Sequence, residues 1–181
     1  MNNLDIRIIE SDHFPHSVGE LSEMLHACVH AGASINFILP FTRFESEQYW
    51  NTTILPGVLN GTRMVWVARL DNRLAGTVQL DCDTPPNQPH RAEVAKMMVH
   101  PDFRRQGIAK CLMIELEAHA KTLGKTLITL DTRTGDNAEP LYAELGYVTA
   151  GTIPGYCRDP FVERLDATTI MYKAQFSIEI G

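Results

Sequence analysis

Apolar and polar residues alternate over Leu4 to Glu10 (LDIRIIE), which predicts a first strand. From Pro15 to His30 the period changes. Val18, Leu21, Leu25, Cys28 and Val29 recur at helical spacing, and Gly32 marks a stop. Residues 31–41, AGASINFILPF, read as a loop of small and aromatic residues, followed by a second helix near Glu45 to Leu59. That helix carries Tyr49, Trp50, Ile54 and Leu55, and Pro56 is expected to kink or break it. After the Asn60-Gly61 turn, Met64 to Arg69 and Leu74 to Asp81 read as two strands of a hairpin about Asp71-Asn72-Arg73. Residues 83–90 hold too many prolines and polar groups for regular structure.

Ala92 to His100 (AEVAKMMVH) is largely apolar without strict alternation, as in a strand covered on both faces. Pro101 to Gln106 is a loop. From Gly107 to Leu123, Ala109, Leu112, Met113, Leu116, Ala120 and Leu123 form one helical stripe, closed by Gly124. Thr126 to Thr132 is a β-branched strand. Strand, helix and strand of this length make a right-handed crossover, so the fourth and fifth strands are parallel. A short helix from Asp136 or Asn137 to Leu145 tolerates Pro140 in its first turn. A strand starting at Gly146-Tyr147-Val148 and another at Ala167 to Ala174 end the pattern. The order is β α α β β β α β α β β. It predicts an α/β protein of mixed α+β character, with one mixed sheet and helices on both faces.

Composition narrows the function. The 181 residues fit one domain spanning 1–181, with 44% hydrophobic residues to form an ordinary core. Sixteen Lys and Arg against 22 Asp and Glu give a net charge of −6, which argues against a nucleic-acid partner. Cys28, Cys82, Cys111 and Cys157 form no CxxC pair, the N-terminus lacks a secretory pattern, and no apolar run is long enough for a membrane span. The expectation is a cytoplasmic protein with reduced thiols and no membrane partner.

Against the acidic balance, Arg104-Arg105-Gln106-Gly107-Ile108-Ala109 places two cations and a glycine at the mouth of a helix. Backbone N–H groups in a first helical turn have no intrahelical partner, and with the helix dipole they attract anions. Gly107 and Ala109 leave room for a phosphate, and Arg104 and Arg105 suit a diphosphate. A plain turn with solvated arginines is the competing reading of the loop alone. GxGxxG and GxxxxGK[ST] are both absent, against a dinucleotide fold and a nucleoside triphosphatase. Placed after a strand in a βαβ unit, the loop lies where open sheets bind ligands.

VHPDFRRQGIA, followed by a helix, resembles the acetyl-CoA motif Q/R-x-x-G-x-G/A of the GCN5-related N-acetyltransferase (GNAT) family. Arg104-x-x-Gly107-x-Ala109 matches it. Asn137 and LYAELGY (141–147) match the family's later Asn and Tyr motif, and the strand order agrees along nearly the whole chain. A narrower resemblance, to toxin-inactivating acetyltransferases of the tabtoxin-resistance type, is carried by VHAGAS (29–34), RAEVAKMMV (91–99), ITLDT (128–132), IPGYC (153–157) and ATTIMYK (167–173). The resemblance implies a GNAT-type domain with a mostly antiparallel sheet and a splayed parallel pair at the fourth and fifth strands. It implies acetyl-CoA as co-substrate, bound by residues 104–109, Asn137 and Tyr142, with a backbone N–H of Met97-Met98-Val99 for the oxyanion. It implies a small-molecule amine as acceptor and allows a homodimer.

For the chemistry, an amine must lose a proton before it attacks a thioester, and a carboxylate can take that proton directly or through water. Glu93, on the fourth strand, and Asp131, at the C-terminal end of the fifth, are the candidates. Their structural alternatives are pairing of Glu93 with Arg91 or Lys96, and capping by Asp131 of the turn before Thr134. Tyr142 is the candidate acid for the leaving thiolate by family position; otherwise it is a packed aromatic. His26 and His30 share a helix face beside Cys28, but no further ligand pattern completes a metal site, so none is expected. His100 reads as a surface residue. The 31–41 loop and Tyr156 are placed to wall the acceptor site. A peptide acetyltransferase and a non-catalytic acyl-CoA sensor are the alternative functions.

Overall fold

A computed structural model describes residues 3–175. Seven strands form one sheet in the order β1-β2-β3-β4-β5-β7-β6. They are β1 (Leu4–Ile8), β2 (Arg63–Leu70), β3 (Arg73–Asp81), β4 (Arg91–Val99), β5 (Leu127–Arg133), β6 (Val148–Arg158) and β7 (Leu165–Ala174). Every neighbouring pair is antiparallel except β4 and β5, which are parallel as the crossover requires.

Helices cover both faces. Helix α1 (Phe14–His30) and the segment holding α2 (Arg43–Gln48) and α3 (Leu55–Leu59) lie on one side; α4 (Ile108–Thr122) and α5 (Ala138–Glu144) lie on the other. The central strands alternate between the two cores. Val65 and Val67 of β2 pack with Leu21, Leu25 and Trp50, whereas Trp66 and Ala68 pack with Leu112 and Leu116. A strand with both faces covered is largely apolar; the buried stretches 65–68 of β2 and 75–80 of β3 are, with Thr77 and Gln79 the exceptions.

Local chemistry sets the element ends. Asp71 (φ 48°) and Asn72 (φ 66°) both take positive φ, so they alone make the tight turn, and β3 resumes at Arg73. The second helix starts at Arg43 because Thr42 caps it: Thr42 Oγ1 accepts from the Glu45 N–H at 3.1 Å, and the Thr42 N–H donates to Glu45 Oε2 at 2.7 Å. Pro56 does not break the path. Residues Tyr49–Ile54 form a π-helical stretch, and after it Pro56 falls in the first turn of α3, where its missing N–H costs nothing.

Helix α4 sits close on the sheet at Gly76. A Cβ there would stand 2.9 Å from both Ile108 Cγ2 and Leu112 Cδ1, and 3.2 Å from the Met98 carbonyl oxygen. Gly76→Ala is therefore expected to lower stability by about 1–3 kcal/mol, read as a lower urea midpoint; an unchanged midpoint would contradict this packing.

Candidate active site

The loop after β4 is folded tightly. Pro101–Phe103 make one 3₁₀ turn, and His100 Nδ1 accepts from the Asp102 N–H at 3.2 Å. His100 thus staples the turn and is half-buried against Phe103, which corrects its reading as a plain surface residue. Arg105 (φ 62°) and Gly107 (φ 78°) are both left-handed, and Gly107 is the residue from which α4 begins. The first bond of α4 runs from the Cys111 N–H to the Gly107 carbonyl at 3.1 Å, so the N–H groups of Ile108, Ala109 and Lys110 precede it without intrahelical acceptors. Arg104, Arg105, Gln106 and Gly107 are exposed, and a Cβ on Gly107 would meet nothing within 4 Å. An open cradle of amides with two cations fits a diphosphate. Arg104 leans back, its Nε 3.5 Å from the Val99 carbonyl oxygen. Beside it, burial pushes the Cys28 thiol up to about 11, which makes it an inert thiol.

The cleft arises from incomplete pairing. β4 and β5 are in register only at Arg91–Leu127, Ala92–Ile128 and Glu93–Thr129. Beyond Glu93, β4 continues to pair only with β3, and it bulges. Gln79 faces Ala95 and Thr77 faces Met98, so Lys96 and Met97 together oppose Val78. Lys96 takes φ 50° there, an uncommon conformation for a side-chain-bearing residue.

Glu93 and Asp131 meet at this divergence. Both line a cavity of about 170 Å³ with Thr129, Leu130, Tyr156 and Ile170. Glu93 also pairs with Arg91, Nη1 to Oε2 at 3.5 Å, and the same Nη1 donates to Thr129 Oγ1 at 3.1 Å. Asp131 does not cap the following turn. It accepts from Thr168 Oγ1 at 3.3 Å, while the Thr134 N–H donates to the Ala167 carbonyl. Tyr142, on α5, is 5% exposed. Burial first, then the negative fields of Asp131 and Asp136, push its phenol well above the ordinary range, so it is protonated at neutral pH. Asn137 precedes α5 with an exposed side chain, and its N–H donates to Asp136 Oδ1 at 2.6 Å.

Sequence pattern alone does not show two features. Lys96 reads there only as a partner for Glu93, yet burial lowers its ammonium pKa to about 8. The opposing pull comes from Asp131 and then Glu93, with Arg63 adding to the lowering. Behind it lies a polar network on the same face: Arg63 pairs with Asp81 and donates to Gln79 Oε1 at 2.8 Å, and Gln79 Nε2 donates to Tyr49 Oη at 3.4 Å. The available signal was a lysine inside an otherwise apolar strand. The 31–41 loop does reach the site, with Phe37 5.8 Å from Lys96 Nζ. His26 and His30 stack at 4.1 Å, and His30 Nε2 donates to the Phe41 carbonyl at 2.9 Å. Among the described residues no helix is long and apolar enough to cross a membrane.

Residues 33–147 match the model of the acetyltransferase (GNAT) family. The chain is 29% identical over 127 residues to an uncharacterized N-acetyltransferase from the hisH–hisA intergenic region of Azospirillum brasilense, covering 67% of this chain and 73% of that one. Among solved structures, yncA of Salmonella typhimurium with its cofactor acetyl-CoA superposes with a TM-score of 0.77 at 16% identity, over 96% of this chain and 95% of that one. A ribosomal-protein-alanine N-acetyltransferase of Brucella melitensis superposes with a TM-score of 0.74 at 19% identity, over 94% and 99%. These two likenesses establish a shared fold.

Proposed function

The chain belongs to the acetyltransferase (GNAT) family, and on that footing we propose that it moves the acetyl group of acetyl-CoA onto the amine of a small molecule. The observation that carries this reading is the junction of two carboxylates, Glu93 and Asp131, in one small cavity where β4 and β5 part. We read residues 1–181 as one cytoplasmic acetyltransferase domain. The narrower likeness to the tabtoxin resistance protein rests on the stretches quoted from the sequence and favours an amino-acid-like toxin or antibiotic as acceptor.

Acetyl-CoA supplies the activated acetyl group as a thioester. The amides of Ile108, Ala109 and Lys110 and the side chains of Arg104 and Arg105 would hold its diphosphate, with Gln106 and Gly107 completing the loop and Asn137 at the start of α5. Glu93 and Asp131 take the proton from the acceptor's ammonium, directly or through water. One backbone N–H within Met97-Met98-Val99, in or just beyond the bulge, would face the negative charge that builds on the acetyl oxygen. Tyr142 holds a proton at neutral pH and gives it to the leaving sulfur. The attack is direct, so no residue of the chain is acylated.

The Brucella melitensis enzyme bears a protein acceptor in its name on the same fold, so the test must span acceptor classes. Calorimetry with acetyl-CoA, then release of the free thiol in the presence of small amines and of peptides, is expected to show binding and small-amine turnover. Turnover of peptides alone would reverse the choice of acceptor. Binding without turnover of any acceptor would favour a sensor.

A further inference from the structure

The acetyl-transfer scheme leaves Lys96 without a role, although the fold treats it unusually. It occupies the bulge with φ 50°, a conformation that glycine or asparagine adopts more readily. Its side chain points to the α1 face of the sheet, where Nζ lies 5.8 Å from the Phe37 ring. Neighbouring cations are paired: Arg91 with Glu93 at 3.5 Å, and Arg63 with Asp81. Among the described residues Lys96 has no carboxylate within ion-pair distance. Asp131 and Glu93 act on it only through space.

A half-buried ammonium without a contact anion is costly, and a ligand anion would relieve that cost. Two kinds of charge thus stand near one another. Glu93 and Asp131 line the cavity with Tyr156 and suit an ammonium; Lys96, three residues on from Glu93 and outside that lining, stands against Phe37 and suits an anion. We propose that Lys96 anchors a carboxylate of the acceptor, so that the substrate is a zwitterion: an amino acid or a compound carrying both a free amine and a carboxylate. With its pKa at about 8, Lys96 remains mostly protonated at pH 7, as such an anchor must. The cavity of about 170 Å³ between Glu93 and Asp131 would take the amine end of such a ligand, with its carboxylate reaching out towards Lys96. This inference rests on the small-amine reading and adds the second charged group that the acceptor must carry.

Matched acceptors test it: L-methionine with L-methioninamide, L-phenylalanine with L-phenylalaninamide, and the carboxylate-free amine phenethylamine, each at saturating acetyl-CoA. Free-thiol release is measured for the native protein, Lys96→Met and Lys96→Arg. The native protein is expected to prefer the acids over the amides by roughly 10- to 100-fold in kcat/KM, the worth of one charge-assisted contact. Each kcat/KM is referred to the acceptor's free-amine fraction, because an α-amine beside an amide is less basic than one beside a carboxylate; in Lys96→Met the ratio so corrected falls to near one, mainly through KM, and in Lys96→Arg most of it remains. Equal use of acids and amides by the native protein overturns the inference, even if Lys96→Met fails to fold. So does an unchanged ratio in Lys96→Met. Turnover of phenethylamine and the amides but not of the acids overturns Lys96 as anchor and leaves the small-amine reading standing. No turnover of any of these acceptors with acetyl-CoA bound overturns both.

Discussion

Glu93→Gln combined with Asp131→Asn is expected to lower kcat/KM for the acceptor amine by roughly 100- to 10,000-fold at pH 7, the span of general-base catalysis. An alkyl amine with a pKa near 10 is only about a thousandth unprotonated at pH 7, so attack depends on a group that removes the proton. Both carboxylates line the same cavity, and neither is spent on a tight ion pair. Glu93 is 3.5 Å from its arginine partner, and Asp131 has one hydroxyl donor at 3.3 Å. Each can serve when the other is absent. The single variants are therefore expected to lose less than the double, and their losses will not add. The amide replacements keep shape and hydrogen bonding, so calorimetry should find acetyl-CoA affinity little changed. The pH dependence supplies the sign. As pH rises from 7 towards 10 the free-amine fraction grows about tenfold per unit, so the defect of the double variant narrows. A constant defect would mean that the carboxylates bind the acceptor and do not move its proton. Native turnover in the double variant would remove them from the reaction altogether.

Periodicity carried the fold because both cores are built on regular spacing. The stripe Leu112, Met113, Leu116 and Ala120 is fully buried in α4, and the crossover rule fixed β4 beside β5 in parallel. Helical spacing does not distinguish the π-helical passage before Pro56, where Trp50 and Ile54 are both fully buried, from an ordinary helix. At the site, Gly107 and the two arginines were readable because a helix start needs few residues to declare itself. Glu93 and Asp131 stood out as charges in apolar strands, though their meeting depends on two strands, paired at residues 36 apart in the chain, diverging after three pairs. Lys96 was hidden by the bulge. Strict alternation continued from Glu93 and Ala95 would turn Lys96 to the other face; the extra residue returns its side chain to the face that carries Phe37. Likewise Tyr49, Arg63, Gln79 and Asp81 come from three elements, and no single stretch announces their network.

Gly107→Glu is expected to weaken acetyl-CoA binding by roughly a thousandfold while the protein stays folded. Position 107 opens α4 with φ 78°, and its missing Cβ faces open space beside the unpaired amides of residues 108–110. A glutamate there brings a negative charge to the place where the diphosphate would lie. Two like charges about 4 Å apart near a protein surface repel by about 4 kcal/mol, which is close to three decades in Kd. The left-handed backbone adds a separate cost of about 1–2 kcal/mol for any residue with a Cβ, well inside the stability of a domain this size. Gly107→Asn separates the two effects. Asparagine tolerates positive φ and carries no charge, so it should bind acetyl-CoA far better than glutamate at the same position and melt near the native temperature. Calorimetry gives both affinities, and thermal unfolding gives the fold. Equal affinities for native and Gly107→Glu proteins would take the diphosphate away from this loop. Equal losses in the asparagine and glutamate variants would show that backbone conformation at 107 matters and the charge does not.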